Sequence, residues 1–281
     1  MKKRERTSKR NWKLIAASIL LGMILVGCLC SEWFLTTDPS YLNLTHTLQA
    51  PNKQFLFGTD TLGRDIFSMI WAGGKVSLLI GILATMISTV LAILIGTLAG
   101  LAPTWMDDLL MRIVELLLSI PSLLLTLFLL AFLGRPTVLT ISIVIGITNW
   151  FPIAKVVRAE VRKLRVSEFV LAARCMGGSF FYILRVQLLP NFIASIQFMI
   201  IMNVRSAILT ESTLSFLGLG LPLEIISWGS MLSFAEDALL RGAWWMILIP
   251  GGFLTVTLLC ITFIANQYRV NREADSLDQQ I

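Results

Sequence analysis

Apolar residues dominate six stretches of the chain, and shorter polar or turn-rich stretches separate them. Each apolar stretch is close to the ~20 residues that an α-helix needs to cross the hydrocarbon core of a bilayer. The predicted transmembrane helices are 14–35, 76–101, 110–133, 138–154, 191–213 and 244–266. Hydrophobic residues make up 56% of the 281 residues and charged residues only 14%, unlike a soluble domain. The pattern therefore predicts an all-α polytopic membrane protein with six transmembrane helices.

Basic residues are concentrated in two segments. The tail 1–13 holds seven of the 23 lysines and arginines, and the loop 155–190 holds another seven. Lys and Arg accumulate in cytoplasmic segments, so both are predicted to be cytoplasmic, whereas 36–75 and 214–243 face outward. Six helices return the chain to its starting side, which makes 267–281 a cytoplasmic tail. The net charge of +6 then reflects topology, and no nucleic-acid partner is expected.

A short amphipathic helix is predicted inside the second basic segment. Ser167 can cap it, Glu168 suits its positive N-terminal end, and Gly177-Gly178 can end it. The spacing i, i+3, i+4, i+7 predicts one apolar face, made of Phe169, Ala172, Ala173 and Met176. Two alanines on that face would let another protein approach the backbone closely. The pattern predicts a docking helix for a cytoplasmic partner.

Glycine and proline refine the predicted helices. Gly96 and Gly100 form a close-packing motif of membrane helices. Pro121 and Pro152 can bend or end helices where neighbours satisfy the freed backbone groups. In the outer segment, the charged residues of 58–65, which are Asp60, Arg64 and Asp65, are predicted to pair locally and fix the chain where it re-enters the bilayer.

Arg205 lies within the fifth apolar stretch, where an arginine is costly unless it faces a partner or a wet cavity. One hypothesis places Arg205 in a transport pathway, where it would attract a carboxylate of the cargo. The alternative is a structural ion pair with another helix, for which Glu115 is a candidate. Glu211 lies six residues further on, which does not place it on the same helix face.

Enzyme chemistry has little support in the sequence. The four cysteines are not spaced for a metal site, and His46 is the single histidine, so no metal site and no catalytic residue is predicted. An intramembrane enzyme would need a nucleophile with a base, or a metal motif. An ion-coupled secondary transporter would show inverted repeats or broken helices with ion ligands, and neither pattern is present.

The basic loop carries a recognisable motif. Ala172 and Ala173 precede Gly177 and then Leu189-Pro190 in the order of the cytoplasmic loop of ABC importer permeases, with Leu171 in place of a glutamate and Glu168 earlier in the motif. The chain resembles permease subunits of the bacterial peptide/nickel group, specifically the second permease, over roughly residues 12–266. The further matching blocks are Gly58-Thr59-Asp60, Gly63-Arg64-Asp65, Ser119-Ile120-Pro121, Glu211, Leu214 to Gly220, and Ser227-Trp228-Gly229.

This resemblance implies a type I ABC importer permease fold and a role in peptide import. Two related permeases would form the pathway, two cytoplasmic ATPases would drive it, and an extracytoplasmic binding protein would deliver the cargo. No cofactor is expected on this chain, because ATP and Mg would bind the ATPases. The coupling residues that the resemblance implies are Glu168, Ala172, Ala173, Gly177, Leu189 and Pro190. The predicted pathway residues are Arg205, because of its cost within an apolar stretch, and Glu211.

The predicted organisation follows from topology and resemblance together. A basic tail, 1–13, precedes the first transmembrane helix, 14–35, and an extracytoplasmic segment, 36–75. A permease core over 76–266 contains the coupling-helix loop 155–190, and the tail 267–281 ends the chain. The expected location is the bacterial cell membrane, with both termini cytoplasmic. Nickel or metal-chelate import and ion-coupled secondary transport remain the alternative functions.

Overall fold

The structure is a computed structural model that describes residues 2–35, 38–179, 182–222 and 224–278, without the side chains of 2–11, 34, 236, 237 and 271–278. Thr36 and Thr37 of the predicted outer segment and 279–281 of the predicted tail lie outside the described residues. Within that part of the chain the regular elements are helical. The α-helices are α1 Lys2–Leu29, α2 Ser31–Phe34, α3 Ile66–Leu101, α4 Thr104–Leu118, α5 Ser122–Leu133, α6 Val138–Asn149, α7 Phe151–Leu164, α8 Glu168–Cys175, α9 Leu189–Phe216, α10 Trp228–Ser233, α11 Ala235–Leu240 and α12 Trp245–Asp278.

Four helical segments of the described chain are long and apolar enough to cross a bilayer. They are Trp12–Leu29 in α1, all of α3, Ile183–Phe216, in which a π-helical turn (Ile183–Leu188) precedes α9, and Trp245–Val270 in α12. Two bent pairs, α4 with α5 and α6 with α7, pass the same criterion together, which gives up to six spans. The predicted all-α polytopic architecture is confirmed, and six is the number of spans when each bent pair counts once.

Helix ends differ from the predicted boundaries. α3 begins at Ile66 rather than at 76, because Asp65 accepts hydrogen bonds from the backbone N–H groups of Phe67 and Ser68 at 3.3 and 3.0 Å and so caps the helix. α1 already begins within the basic tail at Lys2, and α12 continues to Asp278 through most of the predicted C-terminal tail. Hydropathy alone marks the apolar part of a helix and does not mark its polar ends.

The predicted helices 110–133 and 138–154 are both broken in the structure. α4 and α5 meet at 92°. Pro121 sits between them in an extended conformation, φ −53° and ψ 126°, because proline cannot donate to the preceding turn. α6 and α7 meet at only 46°, since Trp150 between them keeps helical angles and Pro152 lies in the first turn of α7, where proline is tolerated.

The outer segment before α3 is fixed by one buried ion pair. Arg64 Nε lies 2.7 Å from Asp60 Oδ2, and both side chains are at most 5% exposed. Asp60 Oδ1 also accepts the backbone N–H groups of Leu62 and Arg64 at 2.9 and 2.8 Å. Trp245 Nε1 donates to the carbonyl of Thr59 at 3.1 Å, which ties this segment to the start of α12. The predicted Asp60–Arg64 pair is confirmed, and Asp65 acts as the cap of α3 instead.

α3 is the central helix of the structure and contacts α6, α7 and α9 along its length. Gly96 and Gly100 let α7 approach closely, as predicted from their spacing. A Cβ atom at Gly96 would lie 2.7 Å from the carbonyl oxygen of Ala154, and one at Gly100 would lie 2.8 Å from Val161 Cγ1. Around this contact Val157, Val161 and Ala92 are buried in one apolar cluster. The close approach of backbones at these glycines fixes the spacing of α3 and α7.

Gly96→Ala is expected to lower the free energy of unfolding. Overpacking costs about 1–3 kcal/mol, which exceeds the ~1 kcal/mol that alanine gains over glycine in helix propensity. The measurement is the midpoint of thermal unfolding of the purified protein in detergent. Gly22→Ala in α1 is the matched control, because a Cβ atom there meets nothing within 4 Å. Equal midpoints for the two variants would contradict the close contact between α3 and α7.

Candidate coupling helix and transport pathway

α8 is a short helix that follows α7 after a turn over residues 165–167. Ser167 occupies the N-cap position, but its hydroxyl donates to the carbonyl of Leu164 at 2.6 Å and does not cap α8. Gly177 has φ +80°, and its N–H donates to the carbonyl of Arg174 at 3.0 Å. The N–H of Gly178 donates to the carbonyl of Ala173 at 2.9 Å. These two bonds form the Schellman motif that ends a helix, as the glycine pair predicted.

The two alanines of α8 face in different directions. Val170 and Ala173 point inward, 0% and 4% exposed, into the apolar cluster that also holds Ile183 and Leu188. The prediction that Ala173 lies on the docking face is therefore wrong, because Ala173 packs α8 against its own chain. Ala172 is exposed. The outer surface of α8 also exposes Glu168, Phe169, Leu171 and Met176, the last of these at 83%.

The remaining motif residues lie where the chain enters α9. Leu189 is half-buried and Pro190 is exposed in the first turn of that helix, directly after the π-helical turn Ile183–Leu188. Leu188, just before them, is 1% exposed and anchors the entry to α9 in the same apolar cluster as Ala173. The motif thus combines an exposed part, centred on Ala172, with a part that seats α8 on the protein.

One buried carboxylate clamps α7 to α4. Asp107 is 1% exposed and accepts hydrogen bonds from Nε of Arg158 and, at 2.7 Å, from Nη2 of the same side chain. Nη1 of Arg162, one turn further along α7, lies 2.8 Å from Asp107 Oδ2. Arg165 Nη1 also donates to the carbonyl of Gly100 at 3.0 Å, at the end of α3. Three basic residues of the predicted cytoplasmic loop therefore hold α7, and the turn that leads from it into α8, to α3 and α4.

A cavity of about 510 Å³ opens where the two bent pairs break. Its walls come from the α4–α5 break, the α6–α7 break and the middle of α9. The polar residues that line it are Ser122, Thr148, Asn149, Asn203 and Ser206, and the apolar ones are Leu117, Leu118, Ile120, Pro121, Leu125, Phe151, Pro152, Ile153, Phe198, Met199 and Met202. These polar residues form no motif in the sequence, because they come from segments as far apart as Ser122 and Ser206 and only the fold brings them together.

Glu211 is fully buried in α9 and does not line the cavity. Its carboxyl group accepts hydrogen bonds from the hydroxyls of Ser77 at 3.0 Å and Ser215 at 2.9 Å, and Ser212 lies at 3.4 Å. The Ser77 hydroxyl in turn accepts the backbone N–H of Trp228 at 3.2 Å. These bonds join α9 to α3 and to the start of α10. The contacts describe a structural junction, and a pathway role for Glu211 stays a prediction.

Arg205 is half-buried between α9 and α12 and is not among the residues that line the cavity. Its Nη1 reaches Thr262 Oγ1 at the long distance of 3.5 Å, and its Nε is buried without a hydrogen-bond partner among the described residues. The ion pair considered with Glu115 is not formed, because Glu115 lies 3.1 Å from Lys155 Nζ. A pathway role for Arg205 stays a prediction.

The sequence matches, over residues 92–272, the family described as binding-protein-dependent transport system inner membrane component. The chain belongs to this family. It is 32% identical over 276 residues to the dipeptide transport system permease protein DppC of Bacillus subtilis. The aligned region covers 98% of this chain and 84% of that protein. The oligopeptide transport system permease protein OppC of the same organism is 33% identical over 263 residues, which are 94% of this chain and 84% of OppC. A protein of Brucella suis named as a putative peptide permease is 35% identical over 261 residues, which are 92% of this chain and 86% of that protein.

Family membership sets the class of this permease. The predicted resemblance to ABC importer permeases of the peptide/nickel group is confirmed. The chain is a multi-pass membrane subunit of an ATP-driven importer and is not an enzyme, since ATP hydrolysis belongs to the partner subunits of such a system. Permeases of this family work with ATPase subunits and a binding protein. Ion-coupled secondary transport, the alternative from another class, is therefore excluded.

Asp107→Asn is expected to weaken the contact between α4 and α7. The variant keeps one oxygen acceptor but removes the charge that two guanidinium groups share, at a cost of about 1–3 kcal/mol. Thermal unfolding in detergent is the measurement. Asp108→Asn is the matched control, because Asp108 is the exposed neighbour in sequence. If both variants unfolded at the same midpoint, the clamp would contribute nothing measurable.

Glu211→Leu is expected to destabilise the junction of α3, α9 and α10. The substitution leaves the hydroxyls of Ser77 and Ser215 without their common acceptor in a buried site, which costs about 1–3 kcal/mol in total after partial rearrangement. Glu224→Leu serves as the control, because Glu224 is exposed. A midpoint of thermal unfolding that falls no further for Glu211→Leu than for Glu224→Leu would refute the junction.

Proposed function

We propose that this permease forms half of a peptide pathway together with a second, related permease subunit. Two cytoplasmic ATPases would power the complex, and an extracytoplasmic binding protein would deliver the peptide. The names of the relatives support peptide cargo, because the three similar proteins are named dipeptide, oligopeptide and peptide permeases. Nickel or metal-chelate import is the alternative cargo, and no relative named above favours it.

The proposed orientation places both termini of the chain in the cytoplasm. The basic segments 1–13 and 155–190 support this orientation through the excess of Lys and Arg, and α8 would then face the cytoplasm of a bacterial cell. ATP and Mg would bind the ATPase subunits, and this chain would carry no cofactor. The outer segment before α3 and the segment around α10 would face the binding protein.

α8 is proposed as the contact through which the ATPases drive the permease. The observation that supports this role is its two-sided construction: Val170 and Ala173 seat the helix on the permease, while Ala172 and Met176 are exposed. A short helix seated this way transmits a rigid-body displacement. The clamp at Asp107 and the bond from Arg165 to Gly100 connect α7 and the turn before α8 to α4 and α3, so a displacement of α8 would reach the helices that border the cavity. Such a two-state movement is what alternating access requires.

Ala172→Asp is expected to abolish coupling without unfolding the permease. Because Ala172 is exposed, the new carboxylate costs little in the isolated chain, but it would prevent close docking of an ATPase surface. We expect loss of ATPase copurification and of ATP-driven peptide uptake, with an unchanged midpoint of thermal unfolding. Ala173→Asp does not test docking, because it would bury a charge inside the permease.

Ala50→Asp is the matched control for this experiment. Ala50 is exposed in the outer segment, so the same substitution there adds the same charge on the opposite side of the proposed membrane. ATPase copurification should stay at the level of the unmodified chain. Normal copurification and uptake with Ala172→Asp would contradict the proposed coupling role of α8.

A further inference from the structure

The cavity lies where the α4–α5 pair and the α6–α7 pair break, and the middle of α9 faces these two breaks. Pro121 ends the break between α4 and α5, and Pro152 follows the break between α6 and α7. Asn203 and Ser206 face the same space from α9. Irregular backbone at membrane depth is tolerated where it lines a cavity that supplies polar partners. Its volume of about 510 Å³ lies within the ~300–1,000 Å³ of small-molecule sites.

The polar residues in the lining of the cavity carry no charge. None of the described residues that line it is Asp, Glu, Lys, Arg or His, and the five polar ones are hydroxyl or amide side chains. Arg205, one residue from Ser206 in sequence, is directed to α12 and Thr262 instead. A cargo in this cavity would meet hydrogen-bonding groups and would meet no fixed countercharge.

One amide of the lining has an unused hydrogen-bonding group. Asn203 Nδ2 donates to Ser88 Oγ, and the Thr148 hydroxyl lies 3.1 Å from the carbonyls of Val144 and Ile145. Asn149 Nδ2, in contrast, is buried and has no hydrogen-bond partner among the described residues. A buried donor left unpaired costs about 1–3 kcal/mol. The Asn149 side chain therefore gains if a molecule in the cavity offers it a carbonyl group.

The apolar part of the lining is adaptable. Met199 and Met202 lie on the α9 side, next to Phe198. Methionine is unbranched and polarizable, so it fits around side chains of different shape and is frequent on surfaces that accept many partners. An amide that matches a peptide bond, combined with adaptable apolar walls, suits a ligand with a constant backbone and variable side chains.

We propose that this cavity is a neutral cargo site, in which Asn149 binds the backbone amide groups of a transported peptide and the side chains of the peptide are not selected by charge. The inference rests on the proposed function, because it assumes that the cargo is a peptide. It assigns recognition in the pathway to uncharged residues at the helix breaks, in place of Arg205.

The test places a charge in the cavity and asks whether the transport of peptides then depends on their charge. The complete complex is reconstituted in vesicles with saturating binding protein, and initial uptake is measured for Ala-Ala-Ala, Ala-Lys-Ala and Ala-Glu-Ala. Asn149→Asp is isosteric, and Ser206→Asp introduces the same charge from the exposed α9 wall in case the first variant folds poorly. Each rate is divided by that of the unmodified complex for the same peptide. Basal ATPase activity and copurification of the ATPases report assembly.

We expect Asn149→Asp and Ser206→Asp to lower the relative uptake of Ala-Glu-Ala about tenfold more than that of Ala-Lys-Ala, with Ala-Ala-Ala between them. Asn52→Asp is the control, since Asn52 is exposed in the outer segment and its Oδ1 accepts the backbone N–H groups of Gln54 and Phe55 at 2.8 and 2.9 Å, which an aspartate can do equally. Its relative uptake should be equal for the three peptides.

Equal relative uptake of the three peptides by an assembled cavity variant would overturn the cargo site and leave the proposed function intact. Failure of the unmodified complex to take up any of the three peptides would instead overturn the proposed function, and the inference with it.

Discussion

The close approach of α3 to α7 is the constraint on which the rest of the structure depends. At Gly96 and Gly100 the backbones of the two helices are so near that a Cβ atom would overlap Ala154 and Val161. This contact fixes α7, which leads into α8, against α3, and the Asp107 clamp holds the same stretch of α7 against α4. In a bilayer, where apolar side chains gain little by leaving lipid, close packing and buried polar contacts hold helices together. The position of α8 is thus set by a few small residues and one carboxylate.

Much of the fold follows from the sequence because a bilayer demands long apolar helices whose backbone groups are satisfied internally. The runs around α3, α9 and α12 were predicted on that ground. Hydropathy does not report where a helix starts or breaks, however. The cap at Asp65 lies eleven residues before the predicted start of the second span, and the break at Trp150 occurs at a residue that retains helical angles. The start of α3 is set by this local side-chain cap, which an average of hydropathy does not register.

The candidate site, like the fold, could be predicted from the sequence only in part. The glycine pair after α8 predicted the end of the helix, because the left-handed conformation at Gly177 favours glycine. The inward face of α8 was not identified from the sequence. The helical spacing put Ala173 on the docking face, but apolar residues occupy every position from Phe169 to Ala173, and the buried ones are Val170 and Ala173. The cavity could not be predicted either, because Ser122, Asn149 and Asn203 come from three distant segments. Their proximity results from the two helix breaks.

The clamp at Asp107 has a consequence for the order of folding. Arg158 and Arg162 are one turn apart on α7, and like charges at that spacing repel and weaken an isolated helix. Their shared counter-charge lies on α4, some fifty residues earlier in the chain, at a separation of 51 from Arg158. Because synthesis proceeds from the N-terminus, Asp107 is already available when the arginines of α7 emerge. The chain therefore produces the neutralising carboxylate before the two positive charges that need it.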